Sequence, residues 1–139
     1  MKNILITGGA GFVGSHLCNA YLGKGYNVFT VDDLSNGDEK NIDSRVIFEK
    51  LDLSTDEIFS KYKEVEFNSV IHCAAQSSNA LSFIDINKDI ESNVLSTNNI
   101  MKFCKIRGIH RLIYTSTLSI YGDANQYPTP ETCTPNPKS

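Results

Sequence analysis

Thr7-Gly8-Gly9-Ala10-Gly11-Phe12-Val13-Gly14 is the run with the most chemistry in it. It follows an apolar triplet, Ile4-Leu5-Ile6, and precedes a stretch whose apolar residues recur at helical spacing. Read from Gly9 it is G-x-G-x-x-G; read from Gly8 it is G-x-x-G-x-x-G. Glycines at a strand–helix junction permit a tight turn and bring the backbone close to a diphosphate. The helix N-terminus adds unpaired N–H groups and a partial positive charge. Glycine clusters also make ordinary turns, so the position of this one gives it meaning. Asp32 lies 18 residues beyond Gly14, where a second run rich in β-formers ends. A carboxylate there accepts hydrogen bonds from both hydroxyls of an adenosine ribose and repels a 2′-phosphate, which favours NAD over NADP. Asp33 reads equally as a second cofactor contact or a solvated loop acid.

The elements that must hold these residues alternate along the chain. Ile4-Leu5-Ile6 reads as a strand buried on both faces, and Phe12 to Lys24 as a helix stopped by Gly23 and Gly25. Tyr26 to Val31 is a second strand, Arg45 to Phe48 a third, and Ser54 to Tyr62 a short helix. Ser69 to Ala74 is a fourth strand. Ile86, Ile90, Val94, Thr97, Met101 and Cys104 then recur every three or four residues, predicting a long helix that Gly108 ends. Leu112 to Thr115 is the fifth strand. This order predicts an α/β fold: a Rossmann-type doubly wound parallel sheet with helices on both faces, stopping after about the fifth strand. Residues 1–127 form the dinucleotide-binding domain. All four prolines fall in 128–139, a tail that cannot be helix or central strand and is expected to be poorly ordered.

Composition removes several classes of partner. Thirteen basic residues against sixteen acidic ones, with no basic run, argue against nucleic acid and anionic membranes. No stretch approaches the roughly 18 apolar residues of a membrane span, and three apolar residues near Met1 fall short of the roughly seven of a signal-peptide core. Cys18, Cys73, Cys104 and Cys133 form no C-x-x-C pair, so no metal site is expected. They read as reduced thiols of a cytoplasmic protein, three of them buried. His72 reads as a satisfied strand-end histidine, and His16 and His110 as surface residues.

With these residues in hand, the whole chain resembles the extended short-chain dehydrogenase/reductase family, the NAD-dependent sugar-nucleotide epimerases and dehydratases. Five motifs, together with a run on the long helix, carry the resemblance. The glycine loop contributes Gly8, Gly11, Phe12, Val13 and Gly14. Val31 to Gly37 resembles the adenosine loop of UDP-glucose 4-epimerases, which implies cofactor contacts from Asp32, Asp33, Ser35, Asn36 and Gly37. Asp52 and Leu53 match the acid-plus-aliphatic pair placed against the adenine amino group. Cys73, Ala74, Ala75 and Gln76 match small residues that pass the diphosphate and nicotinamide ribose. Asn93-Val94-Leu95-Ser96-Thr97 resembles N-V-x-G-T, with Ser96 in place of glycine. Tyr114 to Gly122 resembles the strand, here including Thr115, that leads to the catalytic hydroxyl. The resemblance places that hydroxyl on Thr117, hydrogen-bonding the sugar O4 while NAD takes the hydride.

The family's Y-x-x-x-K pair is not found in these 139 residues, nor is its substrate domain. Lysine lowers the phenol pKa from about 10 toward the working pH, so the pair matters for proton transfer. The chain is therefore expected to be the N-terminal part of a UDP-glucose/UDP-GlcNAc 4-epimerase-like enzyme, inactive alone, whose family partner is a nucleotide sugar. Two alternatives are a non-catalytic NAD-binding regulatory or assembly module and a nucleotide-sugar 4,6-dehydratase fragment. The Leu34-Ser35-Asn36-Gly37 loop favours the epimerase. The resemblance also implies a homo-oligomer through helix 86–107. There Ile86, Ile90, Val94 and Met101 are expected to face the sheet, and Leu95, Phe103 and Ile106 to lack their usual cover.

Overall fold

Alternation along the first strand sets up two cores, one on each side of a single sheet. The computed structural model describes residues 2–55, 57–124 and 126–138. Strand β1 (Asn3–Thr7) is buried from Ile4 onward, with Ile4 and Ile6 on one face and Leu5 on the other. It pairs in parallel with β2 (Asn27–Asp32) and β4 (Ser69–His72), so that Leu5 lies opposite Phe29 and Val70. Strand β3 (Ile47–Lys50) joins β2, and β5 (Leu112–Tyr114) joins β4, giving the parallel order β3-β2-β1-β4-β5. Helix α1 (Phe12–Gly23) covers the Ile4–Ile6 face through Cys18, with Leu17, Tyr21 and Leu22 packed alongside. Helices α2 (Glu57–Lys61) and α5 (Ser96–Ile106) cover the Leu5 face through Ile58, Ile100, Phe103 and Cys104. The expected doubly wound sheet is the fold of this chain.

Turns move several boundaries away from the sequence reading. The third strand starts at Ile47 rather than Arg45, because the Asp43 carboxylate accepts from Arg45 N at 2.9 Å and locks a turn there. The Ser54–Tyr62 helix contracts to Glu57–Lys61, since Ser54 N is bound to Asp52 Oδ1 at 2.9 Å. A helix absent from the sequence reading, α3 (Asn79–Ile84), starts at Ser78, whose hydroxyl accepts from Leu81 N. Two cysteines are buried, Cys18 and Cys104; Cys73 and Cys133 are half-buried, against the expected three buried. His16 and His110 are exposed. Residues 128–138 carry no helix or strand, and Asn136 N donates to Ile120 O at 2.8 Å. No helix among the described residues is long and apolar enough to cross a membrane.

The long helix departs most from expectation. It runs as α4 (Ile86–Ile90), a π turn (Glu91–Leu95) and α5. Ile86, Ile90, Val94 and Met101, expected to face the sheet, are all exposed, while Phe103, expected to lack cover, is fully buried. Leu95 and Ile106 are exposed as expected. The physical reason is that the inward face of α4 and the π turn is polar. Asp89, Ser92, Asn93 and Ser96, at helical spacing, look into a cleft rather than the core, so the apolar stripe of this half points outward. The inward face becomes core only at Ile100, Phe103 and Cys104.

Candidate functional site

The chain leaves β1 toward β2 on one side and returns to β4 on the other, so the carboxyl ends of β1 and β4 diverge. Such switch points are where open parallel sheets bind ligands. A cleft of about 840 Å³ opens there, within the roughly 300–1,000 Å³ of small-molecule sites. Every residue proposed from sequence as a site residue lines it. Gly8, Gly11, Phe12, Val13 and Gly14 form one wall, and Asp32, Asp33, Ser35, Asn36 and Gly37 an end. Asp52 and Leu53 reach it after β3, and Cys73, Ala74, Ala75 and Gln76 after β4. Asn93 enters from the π turn, and Thr115 and Thr117 close the far side. Sequence reading missed Ser82, Asp89, Ser92 and Tyr114, which also line the cleft. Apart from Tyr114 these are polar residues on helices, and their signal was polarity at inward-facing positions.

Glycine is required where backbones touch. Gly8 sits at φ +72°, and a Cβ there would stand 2.7 Å from Ala74 N. A Cβ on Gly14 would collide with the Gly8 carbonyl. Helix α1 therefore starts pressed onto the loop that follows β1. No side chain caps this start and its first turn holds no acid. The first-turn N–H groups lack intrahelical acceptors, which leaves a positive helix pole beside the cleft. The space that missing side chains leave and these free donors together fit a diphosphate.

The opposite end is acidic, and each acid already holds backbone. Asp32 is buried; its Oδ2 accepts from Ala10 N at 3.0 Å and its Oδ1 from Leu34 N at 2.9 Å. That second bond supports Leu34 at φ +63°, a conformation that costs a branched residue energy. A carboxylate has about four acceptor positions, so Asp32 retains capacity for ribose hydroxyls. Asp33 Oδ1 accepts from Ser35 N at 2.9 Å and Ser35 Oγ at 2.6 Å, which orders the turn into Ser35–Gly37. Burial pushes the Asp52 carboxyl up. The hydrogen bonds from Ser54 and the Lys88 ammonium, 3.4 Å from Oδ2, outweigh that and hold it below the usual carboxylate range. Buried Asn99 braces the same loop, its Nδ2 donating to Leu53 O at 3.0 Å.

The loop after β4 is held from two sides. Thr7 Oγ1 accepts from Cys73 N and Ala74 N, each at 3.1 Å, and stands 2.6 Å from His72 Nδ1. His72 Nε2 lies 3.1 Å from Thr97 Oγ1, whose own proton goes to Asn93 O at 2.7 Å. This network assigns the neutral tautomer with hydrogen on Nε2. Both ring nitrogens of the buried His72 are satisfied, as the sequence reading expected. Burial lowers its pKa from 6.5 to about 4. Farther along, Gln76 N donates to Asn93 Oδ1 at 2.9 Å, and Asp89 Oδ1 accepts from Gln76 Nε2 at 3.0 Å. Ser96, in place of glycine, is buried and donates its hydroxyl to Glu91 O at 3.0 Å, supporting the π turn that carries Asn93.

Thr115 Oγ1 donates to His72 O at 3.1 Å, fixing the first residue beyond β5. Thr117 is exposed on the cleft and accepts from Ser119 N at 3.2 Å, capping the 3₁₀ turn Leu118–Tyr121. Its hydroxyl proton is therefore free to donate. Cys73 lines the cleft while its side chain packs against the Ile4–Ile6 core, and burial pushes the thiol pKa up despite a hydrogen bond with Thr115.

The family model described as NAD dependent epimerase/dehydratase matches residues 4–139. A putative UDP-glucose 4-epimerase of Methanocaldococcus jannaschii is 33% identical over 137 residues, covering 98% of this chain and 45% of that protein. The UDP-glucose 4-epimerase of Thermus thermophilus, solved in complex with NAD, is 35% identical with a TM-score of 0.86, over 99% of this chain and 45% of that one. The Thermotoga maritima UDP-glucose 4-epimerase, solved with UDP-glucose, is 34% identical with a TM-score of 0.88 over the same shares, 99% and 45%. The chain thus spans under half the length of these relatives.

The buried imidazole ties stability to pH. Between its unfolded value near 6.5 and its folded value of about 4, the unfolded chain binds a proton that the folded chain does not. Stability is therefore fully present above pH 6.5 and is lost as pH falls toward 4, by at most about 3 kcal/mol. Urea unfolding at pH 7 and pH 4.5 should show a loss about 2 kcal/mol smaller in His72→Gln than in the wild type. Equal losses would mean that the folded protein accommodates a charged His72.

Proposed function

Because the chain belongs to the NAD dependent epimerase/dehydratase family, we propose that it binds NAD across the switch-point cleft. In this reading it forms the cofactor half of a UDP-glucose 4-epimerase-like enzyme of the cytoplasm. The observation that carries it is the pairing, in one cleft, of an uncapped helix start with a buried Asp32 that keeps acceptor capacity. The first turn of α1 takes the diphosphate, and Asp32 takes the adenosine ribose hydroxyls. Ser35, Asn36 and Gly37 border the adenosine, and Asp52 with Leu53 meets the adenine edge. Cys73 to Gln76, braced by Asn93, form the wall along the diphosphate and nicotinamide ribose. Bound there, NAD supplies reversible acceptance of a hydride from the sugar. Thr117 donates its free hydroxyl proton toward the sugar O4, and Thr115 fixes the backbone leading to it. The Leu34-Ser35-Asn36-Gly37 loop favours the 4-epimerase over a 4,6-dehydratase.

Two measurements test this reading. Calorimetry should give NAD at least about tenfold tighter than NADP, a difference of about 1.4 kcal/mol. Asp32→Ala should weaken NAD and narrow the ratio; equal wild-type affinities would remove Asp32 from the ribose. None of the six tyrosines is followed four residues on by lysine. A coupled assay on this chain alone should therefore detect no interconversion of UDP-glucose and UDP-galactose. Turnover above background would place a general base on this chain without a Tyr-x-x-x-Lys pair and end this part of the reading.

The outward stripe of the long helix supports assembly through that helix. Ile86 is 65% exposed, Val94 59% and Met101 51%, and burying such side chains is worth roughly 1.5–3 kcal/mol each. Sedimentation at micromolar concentration should show a homodimer or larger species, and Val94→Arg should return a monomer. A wild type that stays monomeric would end the proposal.

A further inference from the structure

We propose that Thr97 and His72, neither of which lines the cleft, are positioning residues for the cofactor, acting through Thr7 on the backbone that follows β4. The inference rests on the NAD reading of the cleft. Three side chains from three elements form one chain of hydrogen bonds. Thr97 receives the His72 Nε2 proton at 3.1 Å, His72 Nδ1 receives the Thr7 proton at 2.6 Å, and Thr7 Oγ1 receives Cys73 N and Ala74 N. Each hydroxyl has one proton and each ring nitrogen one role, so the order of donors runs in a single direction. Thr97 is fixed at its own end by donating to Asn93 O at 2.7 Å.

Asn93 lies four residues before Thr97 on the same helix face, and its side chain binds the loop directly, accepting from Gln76 N and donating to Gln76 O at 3.0 Å. The helix thus grips the segment from Cys73 to Gln76 at both ends, at one by contact and at the other by relay. The grip matters because this segment packs backbone to backbone against Gly8, leaving its amides no side chain to adjust around. A Thr7 oxygen without its acceptor at His72 would keep a buried proton unsatisfied, and the hydroxyl would turn away from the Ala74 amide it orders and from the Cys73 amide it shares with Thr7 O.

The test measures NAD affinity by calorimetry near neutral pH for wild type, Thr97→Val, His72→Leu, the double variant and His72→Gln. Far-ultraviolet spectra and cooperative melting establish that each is folded. Thr97→Val and His72→Leu should each weaken NAD roughly five- to thirtyfold. The double variant should be within about twofold of the weaker single, because one broken link already releases the chain. His72→Gln, which offers one acceptor and one donor, should recover most of the affinity. Amide exchange at Ala74 should quicken in Thr97→Val, while Cys73, which also donates to Thr7 O, and the β2–β3 amides stay protected. Affinities within twofold of wild type in folded single variants, or losses that multiply in the double variant, would overturn the relay. Should the wild type bind no NAD, the cofactor reading falls. Amide exchange then still decides the relay, and unchanged protection at Ala74 in Thr97→Val would overturn it.

Discussion

Three pieces of backbone meet at Gly8 with no room for a side chain between them, and the rest of the site takes its position from that contact. Gly8 touches the backbone at Ala74, and Gly14 rests on the Gly8 carbonyl, so the loop after β1 is sandwiched between the start of α1 and the exit from β4. Packing this tight is possible only without Cβ atoms, and it transmits position directly because backbone cannot change rotamer. It sets the height of the α1 N-terminus above the sheet and so where its unpaired N–H groups stand. It also sets where the chain must turn out of β4: the Cys73 amide still reaches Thr7 O and shares the Thr7 hydroxyl, and the Ala74 amide beyond it depends on that hydroxyl.

The electrostatics of the cleft follow from the same constraint. Asp32, Asp33, Asp52 and Asp89 all line a space read as holding a diphosphate, which is unfavourable by charge count alone. Each carboxylate, however, is already bound to donors. Asp32 holds Ala10 and Leu34, Asp33 holds Ser35, Asp52 holds Ser54 and Lys88, and Asp89 holds Gln76 and Asn93. Their negative charge is directed into ordering the loops, leaving spare acceptor positions for hydroxyl and amino donors. The positive element is supplied by peptide dipoles at α1 rather than by a cation. Among the described residues, the ammonium bound to a cleft acid is that of Lys88, and it is engaged with Asp52.

Much of this was legible in the sequence because the site residues sit at strand ends, where apolar runs stop and small or acidic residues begin. Thr7-Gly8-Gly9, Asp32-Asp33 and Cys73-Ala74 each follow such a run and Asp52-Leu53 comes four residues after one ends at Phe48, and the structure brings all four to one end of the sheet. Strand limits were less legible where an aspartate closes a turn on its own neighbours. Asp43 delays β3 and Asp52 delays α2, and neither effect changes the apolar pattern that a periodicity reading uses.

The long helix shows where periodicity misleads for a functional reason. A buried stripe is read from apolar residues on the assumption that inward means apolar. Here the inward face between Asp89 and Ser96 serves the cleft and is polar, so Ile86, Ile90 and Val94 fall on the outside and present the false stripe. Phe103 lies on that same inward face farther along the helix, past the cleft, where it is buried in the core. Asn99 was missed by the same logic, although it is a buried amide whose partners are carbonyls of the loop after β3. Polar residues at i, i+3, i+4 and i+7 on a helix that follows a buried strand therefore have two readings, a solvated face or a site wall. The choice between them turns on whether the opposite face can be left apolar, and in this chain that is the cost of letting one helix serve cleft and core together.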